Sequence, residues 1–110
     1  GKIGEIIQSN LSLKYSLSGL DLNKVLGFPT TVANLSNLDE IILPFQGFNT
    51  VVHLAADPNH QGDWETNLEN NIIDTRNVYE AARLSGVKRI VFAGSNHALG
   101  FYPLKDNPYK

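Results

Sequence analysis

The apolar residues in the first part of the chain fall into short runs whose spacing alternates between helix and strand. From Ile3 to about Leu13 they recur every three or four positions, which predicts a short helix. The stretch from Tyr15 to Asp21 predicts a strand, and the apolar, β-branched run from Pro29 to Leu35 predicts another. The order predicted up to this point is helix, strand, strand.

A second helix is predicted immediately after this run. Ser36 suits the N-cap position because its hydroxyl can accept a hydrogen bond from the first helical turn, and Asp39 follows three positions on. We expect this helix to run through Leu43 and to be closed by Pro44 and Gly47.

Two strand patterns flank the longest predicted helix. The stretch from Thr50 to Ala56 is almost continuously apolar, as is typical of a strand covered on both faces. From Trp64 apolar positions keep helical spacing for more than twenty residues, and Gly86 is placed to end the helix. A strand pattern returns from Val87 to Phe92. Strands separated by helices imply right-handed crossovers, so the predicted fold class is α/β with a doubly wound parallel sheet.

Length and charge narrow the function classes. The 110 residues suffice for one domain, and a net charge of -2 gives no general attraction to nucleic acid or to a membrane surface. Cysteine is absent, which excludes a disulfide framework and a thiolate zinc site, and the histidines show no metal-binding spacing. No apolar run approaches the roughly 20 residues of a membrane helix, so a cytoplasmic protein is the default expectation.

The candidate chemistry follows the last predicted strand. Ser95, Asn96 and His97 supply a hydroxyl, an amide and an imidazole at consecutive positions, which could hold and polarise a hydroxylated or carboxylated substrate. In a parallel sheet, ligands bind where strands end in this way. The alternative is an ordinary turn, since Gly, Ser and Asn all favour turns.

A second candidate site lies near the start of the chain. Gly1 and Gly4 bracket the opening of the first helix, where backbone N–H groups could approach a phosphate. Asp21 follows about twenty residues later, where a carboxylate can accept both hydroxyls of a ribose and would repel a 2′-phosphate. This pairing favours NAD over NADP; a loop glycine pair and a strand-capping Asp21 are the alternatives.

Taken together, these segments resemble the extended short-chain dehydrogenase/reductase group, also called the NAD-dependent epimerase/dehydratase family. The stretch from Gly1 to Gly4 is similar to the last two glycines of its fingerprint, and Asp21 falls at its ribose-binding acid. The helix from Asn71 to Ala82 resembles the family's Asn-x-x-Gly-Thr-x-Asn segment, with Asp74 in place of the glycine. The resemblance implies a Rossmann domain over residues 1–110 that lacks the first strand and the C-terminal part.

Within that group, the stretch from Ser95 to Tyr102 is similar to a segment of uronate dehydrogenases and related sugar dehydrogenases. This implies oxidation at C1 of a hexuronate or aldose by hydride transfer to NAD. Ser95 would then be catalytic and form a hydrogen bond to the reacting oxygen, while Asn96 and His97 would orient the sugar. Gly94 stands where a serine is frequent.

The resemblance also implies a set of cofactor contacts along the carboxyl edge of the sheet. Asn34 can equally be a turn residue, and Asn71, unfavourable inside a helix, is expected to form a hydrogen bond inward rather than to face the surface. The implied NAD-binding residues are Gly1, Ile3, Gly4, Asp21, Asn34, Leu35, Leu54, Ala55, Ala56 and Asn71. Of the other histidines, His53 is expected to be a core residue and His60 a loop residue.

The family's proton-transfer pair, Tyr-x-x-x-Lys, is absent, since no tyrosine here is followed four positions on by lysine. We therefore expect a piece of a longer enzyme, inactive alone, that forms a homo-oligomer when complete. Two other functions remain open. One is a nucleotide-sugar epimerase or dehydratase, and the other is a non-catalytic NAD-binding relative.

Overall fold

The computed structural model describes residues 1–59 and 61–95. Helices and strands follow one another along the chain, and the long helix near the end contains a π-helical segment. The elements are α1 (Lys2–Leu11), β1 (Gly19–Asp21), β2 (Thr30–Val32), α2 (Leu38–Phe45), β3 (Thr50–His53), α3 (Trp64–Asn67), the π segment (Leu68–Ile73), α4 (Asp74–Ser85) and β4 (Arg89–Phe92).

The strands form two parallel pairs. β1 pairs with β2 so that Leu20 lies opposite Thr31, and β3 pairs with β4 so that Val51 lies opposite Ile90. Within the described residues the two pairs are separate two-stranded sheets. The parallel direction of both pairs and the helical crossover from β3 to β4 are those of the predicted α/β class. The chain passes from β1 to β2 without a helix, and the sheet is not continuous across the four strands.

β1 is shorter than predicted, covering only the last three residues of the stretch expected from Tyr15. Its first ladder bond runs from the Gly19 N–H to the Pro29 carbonyl at 2.7 Å. Proline has no N–H to return to β1, so the ladder cannot continue toward Tyr15. A Cβ at Gly19 would lie 2.9 Å from the Phe28 ring, which explains the glycine at this start.

α2 is capped one residue later than predicted. Asn37 rather than Ser36 is the N-cap, and its side-chain oxygen accepts from the Asp39 N–H at 3.2 Å. The helix also continues past Pro44 to Phe45, whose side chain is buried in the core. Pro44 cannot donate the i→i−4 hydrogen bond expected at its position, and burial of the Phe45 ring offsets that cost.

The helix predicted from Trp64 is present as three consecutive segments. α3 is capped by Asp63, which accepts from the Thr66 N–H at 2.7 Å, and the π segment and α4 follow without a break. Gly86 ends α4 with a left-handed φ of 74°. The predicted glycine stop is confirmed, and the π segment is a feature that helical periodicity did not reveal.

The core lies where α2 and α4 pack together against the strands. Ile41 of α2 and Val78 of α4 are essentially inaccessible, and Ala81 and Ala82 let the helices approach closely. Ala33 and Phe45 complete the buried apolar cluster in the part of the chain that the structure describes. α1 buries no residue against this core. Across residues 1–59 and 61–95, every helix falls short of the length and apolarity needed to cross a membrane.

Candidate active site

The carboxyl ends of β3 and β4 lie side by side. The Ala93 N–H donates to the His53 carbonyl at 3.1 Å, which extends the ladder beyond the strands themselves. Residues 54–59 and 93–95 therefore leave the sheet at the same edge. Ser95 is exposed there, and so are Ala55 and Ala56, while Leu54 is half-buried. Asn96, His97 and His60 lie outside the described residues.

Asp21 is the last residue of β1 and Asn34 lies shortly after β2, and both take part in local turns. Asp21 is exposed, and one carboxylate oxygen accepts from the Asn23 N–H at 3.0 Å. The Asn34 side-chain oxygen accepts from the Ser36 N–H at 2.9 Å. The turn roles held open from the sequence are thus observed, and an exposed carboxylate can still accept further hydrogen bonds at Asp21.

The β2–α2 loop is held in place from two helices. The Asn34 N–H donates to a carboxylate oxygen of Glu40 at 2.9 Å. From the other side, the buried amide of Asn77 on α4 donates to the Leu35 carbonyl at 2.8 Å. The backbone of Asn34 and Leu35, two of the residues implied to bind NAD, is therefore held by hydrogen bonds from α2 and α4.

Asn71 forms the predicted inward hydrogen bonds. Its side-chain oxygen accepts from the Asp57 N–H at 2.8 Å, and its amide donates to the Asp57 carbonyl at 3.3 Å and to Asn67 Oδ1 at 2.9 Å. The surface-facing alternative is excluded. Asn71 thus fixes the backbone at Asp57, in the loop that leaves β3 at the edge shared with β4.

His53 is a core residue, as expected. Its Nε2 shares a hydrogen bond of 3.2 Å with the Thr75 hydroxyl, and its ring contacts that of Phe92 at a centroid distance of 5.6 Å. Burial lowers the pKa of the imidazole below its usual value, and the nearby Asp74 carboxylate opposes this effect only in part. A neutral, hydrogen-bonded imidazole is a structural group here.

A hydroxyl–carboxylate cluster next to the β2–α2 loop was missed from the sequence. The Ser36 hydroxyl oxygen lies 2.8 Å from Asp74 Oδ1 and 3.0 Å from Glu69 Oε1. Asp74 is buried while Glu69 is exposed. The sequence contained one indication of this cluster: Asp74 stands where the family segment has glycine. The π segment, which places both carboxylates on one side of the helix, could not be predicted from the helical spacing of apolar residues.

The opening of α1 leaves its backbone donors available to a ligand. Gly1 is the N-cap and makes no side-chain capping bond, and a Cβ built on Gly4 would meet nothing within 4 Å. Ile3 on the same turn is exposed. No group of His, Asp and Glu in the described ranges is arranged to hold a metal ion.

Parallel strand pairs with connecting helices, and polar side chains near the carboxyl ends of the strands, define a doubly wound α/β protein, a class in which ligands bind at that edge of the sheet. Residues 9–108 match the model of the NAD-dependent epimerase/dehydratase family, and the chain belongs to that family. The fold class and the family resemblance are therefore confirmed. The glycines at positions 1 and 4 lie just outside the matched range.

The relatives include several sugar dehydrogenases. The chain is 32% identical over 106 residues to L-arabinose 1-dehydrogenase (NAD(P)(+)) of Haloferax volcanii, covering 96% of this chain and 42% of that protein. It is 40% identical over 70 residues to a uronate dehydrogenase of Agrobacterium fabrum, covering 64% of this chain and 26% of that protein. The chain thus spans less than half the length of these relatives.

Comparison with solved structures gives the same family of folds. A crystal structure of uronate dehydrogenase from Agrobacterium tumefaciens, a mutant complexed with NAD, superposes with a TM-score of 0.83 at 30% identity, covering 94% of this chain and 40% of that one. A UDP-galactose 4-epimerase superposes with a TM-score of 0.77 at 24% identity over 96% and 40% of the two chains, which is a likeness of fold.

Proposed function

We propose that residues 1–110 are the NAD-binding part of a dehydrogenase that oxidises C1 of a hexuronate or aldose. The observation that carries the proposal is the position of Ser95. It follows β4 at the edge shared with the end of β3, and it begins a segment similar to that of sugar dehydrogenases. Likeness to L-arabinose 1-dehydrogenase and to uronate dehydrogenase supports a sugar or sugar acid as the substrate.

Residues on several elements have the chemistry to bind NAD. The exposed Asp21 carboxylate can accept the hydroxyls of the adenosine ribose, and the small, exposed Ala55 and Ala56 let a dinucleotide approach the backbone. The uncapped start of α1 offers N–H groups to a pyrophosphate. When bound, NAD supplies the hydride acceptor.

The chain's own residues would bind and orient the sugar. Ser95 would hydrogen-bond the oxygen on the carbon that loses hydride, and Asn96 and His97 would fix the sugar ring. The substrate hydroxyl must also lose a proton, and no tyrosine in these 110 residues has the lysine partner that activates it. We expect that base to come from sequence outside them, in a cytoplasmic homo-oligomer without nucleic-acid or membrane partners.

The test uses the full-length protein, with galacturonate, glucuronate, L-arabinose and glucose 6-phosphate offered separately and NADH followed by absorbance. We expect NAD reduction with at least one of them, and Ser95→Ala should lower kcat by about a hundredfold because a bond to the reacting oxygen is lost. Interconversion of a nucleotide sugar without net NADH would favour the epimerase alternative. NAD binding without turnover of any sugar would favour the non-catalytic one.

A further inference from the structure

The loop between β3 and α3 is built from side chains that fold back on the backbone. Asp57 Oδ1 accepts from the Asn59 N–H at 2.9 Å, and Asn59 Oδ1 accepts from the Gln61 N–H at 3.0 Å. The Gly62 N–H then donates to the Asn59 carbonyl at 3.0 Å. These bonds hold residues 57–59 and 61–62, which lie between the end of β3 and the start of α3.

Asn67 holds the far end of this loop. Its side-chain amide donates to the Gly62 carbonyl at 3.1 Å and to the Asp63 carbonyl at 3.0 Å. Its oxygen accepts at 2.9 Å from Asn71, which in turn holds the Asp57 backbone at the near end. Two neighbouring amide side chains thus clamp both ends of one loop.

The packing around Asn67 indicates that the loop conformation depends on it. A Cβ at Gly62 would lie 3.1 Å from the Asn59 carbonyl oxygen and 3.4 Å from the Asn67 amide nitrogen, so the backbone lies directly against this amide. Asparagine is also a poor residue for a helix, and Ala or Leu would favour α3 more. A residue chosen for the helix alone would not be asparagine.

We propose that Asn67 is a positioning residue for sugar binding: it fixes residues 57–59 and 61–63 of the loop that leaves β3 at the edge shared with β4, and so shapes the substrate side of the site. This inference rests on the proposed function, because it takes the sugar to lie over the shared edge of β3 and β4. Asn67 itself contacts neither substrate nor cofactor and acts through the loop.

The decisive variant is Asn67→Asp in the full-length protein. The new side chain has nearly the same shape and still accepts from Asn71, but it places a carboxylate oxygen against the Gly62 and Asp63 carbonyls. The matched control is Asn70→Asp, which adds the same charge in the π segment. Within residues 1–59 and 61–95, no hydrogen bond is made by the Asn70 side chain.

We expect Asn67→Asp to raise the KM for the sugar by about tenfold, the effect of losing one to two hydrogen bonds. The KM for NAD should stay within about twofold, and Asn67→Gln, which keeps an amide donor, should recover part of the loss. Hydrogen exchange should be faster over residues 57–63 and unchanged in α4. Asn70→Asp should change none of these quantities.

Equal sugar KM values and equal loop exchange in the Asn67→Asp and Asn70→Asp proteins would overturn the inference. A parallel rise in the KM values for sugar and NAD together with a lower Tm would also overturn it, since that pattern reports general destabilisation. If the unsubstituted protein oxidises no sugar, the proposed function fails, and the exchange comparison still decides whether Asn67 fixes the loop.

Discussion

Replacing Ser36 by alanine removes a hydroxyl that serves two carboxylates, of which one is buried. The hydroxyl oxygen lies 2.8 Å from Asp74 Oδ1, in a geometry suited to a charge-assisted hydrogen bond, and 3.0 Å from Glu69 Oε1. Glu69 is exposed, so water can replace its bond. Asp74 is only 8% exposed, so water cannot replace the hydrogen bond that Asp74 loses. A hydrogen bond to a buried charge contributes about 1.5–3 kcal/mol, and we expect Ser36→Ala to lower the free energy of unfolding by about 2 kcal/mol.

The assay is urea denaturation of the Ser36→Ala protein beside Ser18→Ala. Ser18 is exposed, and among the described residues its hydroxyl donates a single long hydrogen bond of 3.5 Å, to the Pro29 carbonyl. This control should therefore cost less than about 0.5 kcal/mol. The Ser36 substitution should also cost much less when Asp74 is already alanine. Equal costs for the two serine variants, or an unchanged Ser36 cost in the Asp74→Ala background, would refute the reasoning.

Two further predictions concern charge. Burial lowers the pKa of His53 in the folded protein, so the unfolded chain binds more protons than the folded one as the pH falls below about 6.5. The free energy of unfolding is therefore highest above that pH, and it falls as the pH drops from there through the lowered pKa of the folded state. His53→Gln, which can still bond Thr75, should flatten this decline in thermal melts at several pH values, and an unchanged slope would exclude His53 as its source. Asp21→Ser should raise the ratio of kcat/KM for NADP to that for NAD by about tenfold or more, because the carboxylate no longer repels a 2′-phosphate. An unchanged ratio would show that Asp21 does not determine the preference for NAD over NADP.

The features predicted correctly from the sequence are those set by local chemistry. Gly86 ends its helix because only glycine adopts a left-handed φ of 74° without strain, and Asn71 turns inward because a helical asparagine needs a partner. The parallel pairing of β3 and β4 follows from the helix between them. Each signal lies within a few residues of the feature that it predicts.

The features predicted wrongly depend on residues that are distant in sequence. Ser36 has the chemistry of an N-cap, but its hydroxyl is engaged by Glu69 and Asp74, 33 and 38 residues away, and Asn37 caps the helix instead. The strand expected from Tyr15 begins only at Gly19, because Pro29 on the partner strand has no N–H to extend the ladder toward Tyr15. Neither competitor lies within the window that a local pattern covers.

The π segment explains why one helix can fix two loops. Its five-residue repeat is visible at the Asp74 N–H, which donates to the Glu69 carbonyl, so these two side chains leave the same side of the helix one turn apart. Both therefore reach Ser36 on the β2–α2 loop, while Asn67 and Asn71 clamp the β3–α3 loop. A continuous α-helix repeats every 3.6 residues and would rotate Asp74 away from Glu69. The departure from α-helical geometry thus lets a single helix hold the proposed cofactor side and the proposed sugar side in a common frame.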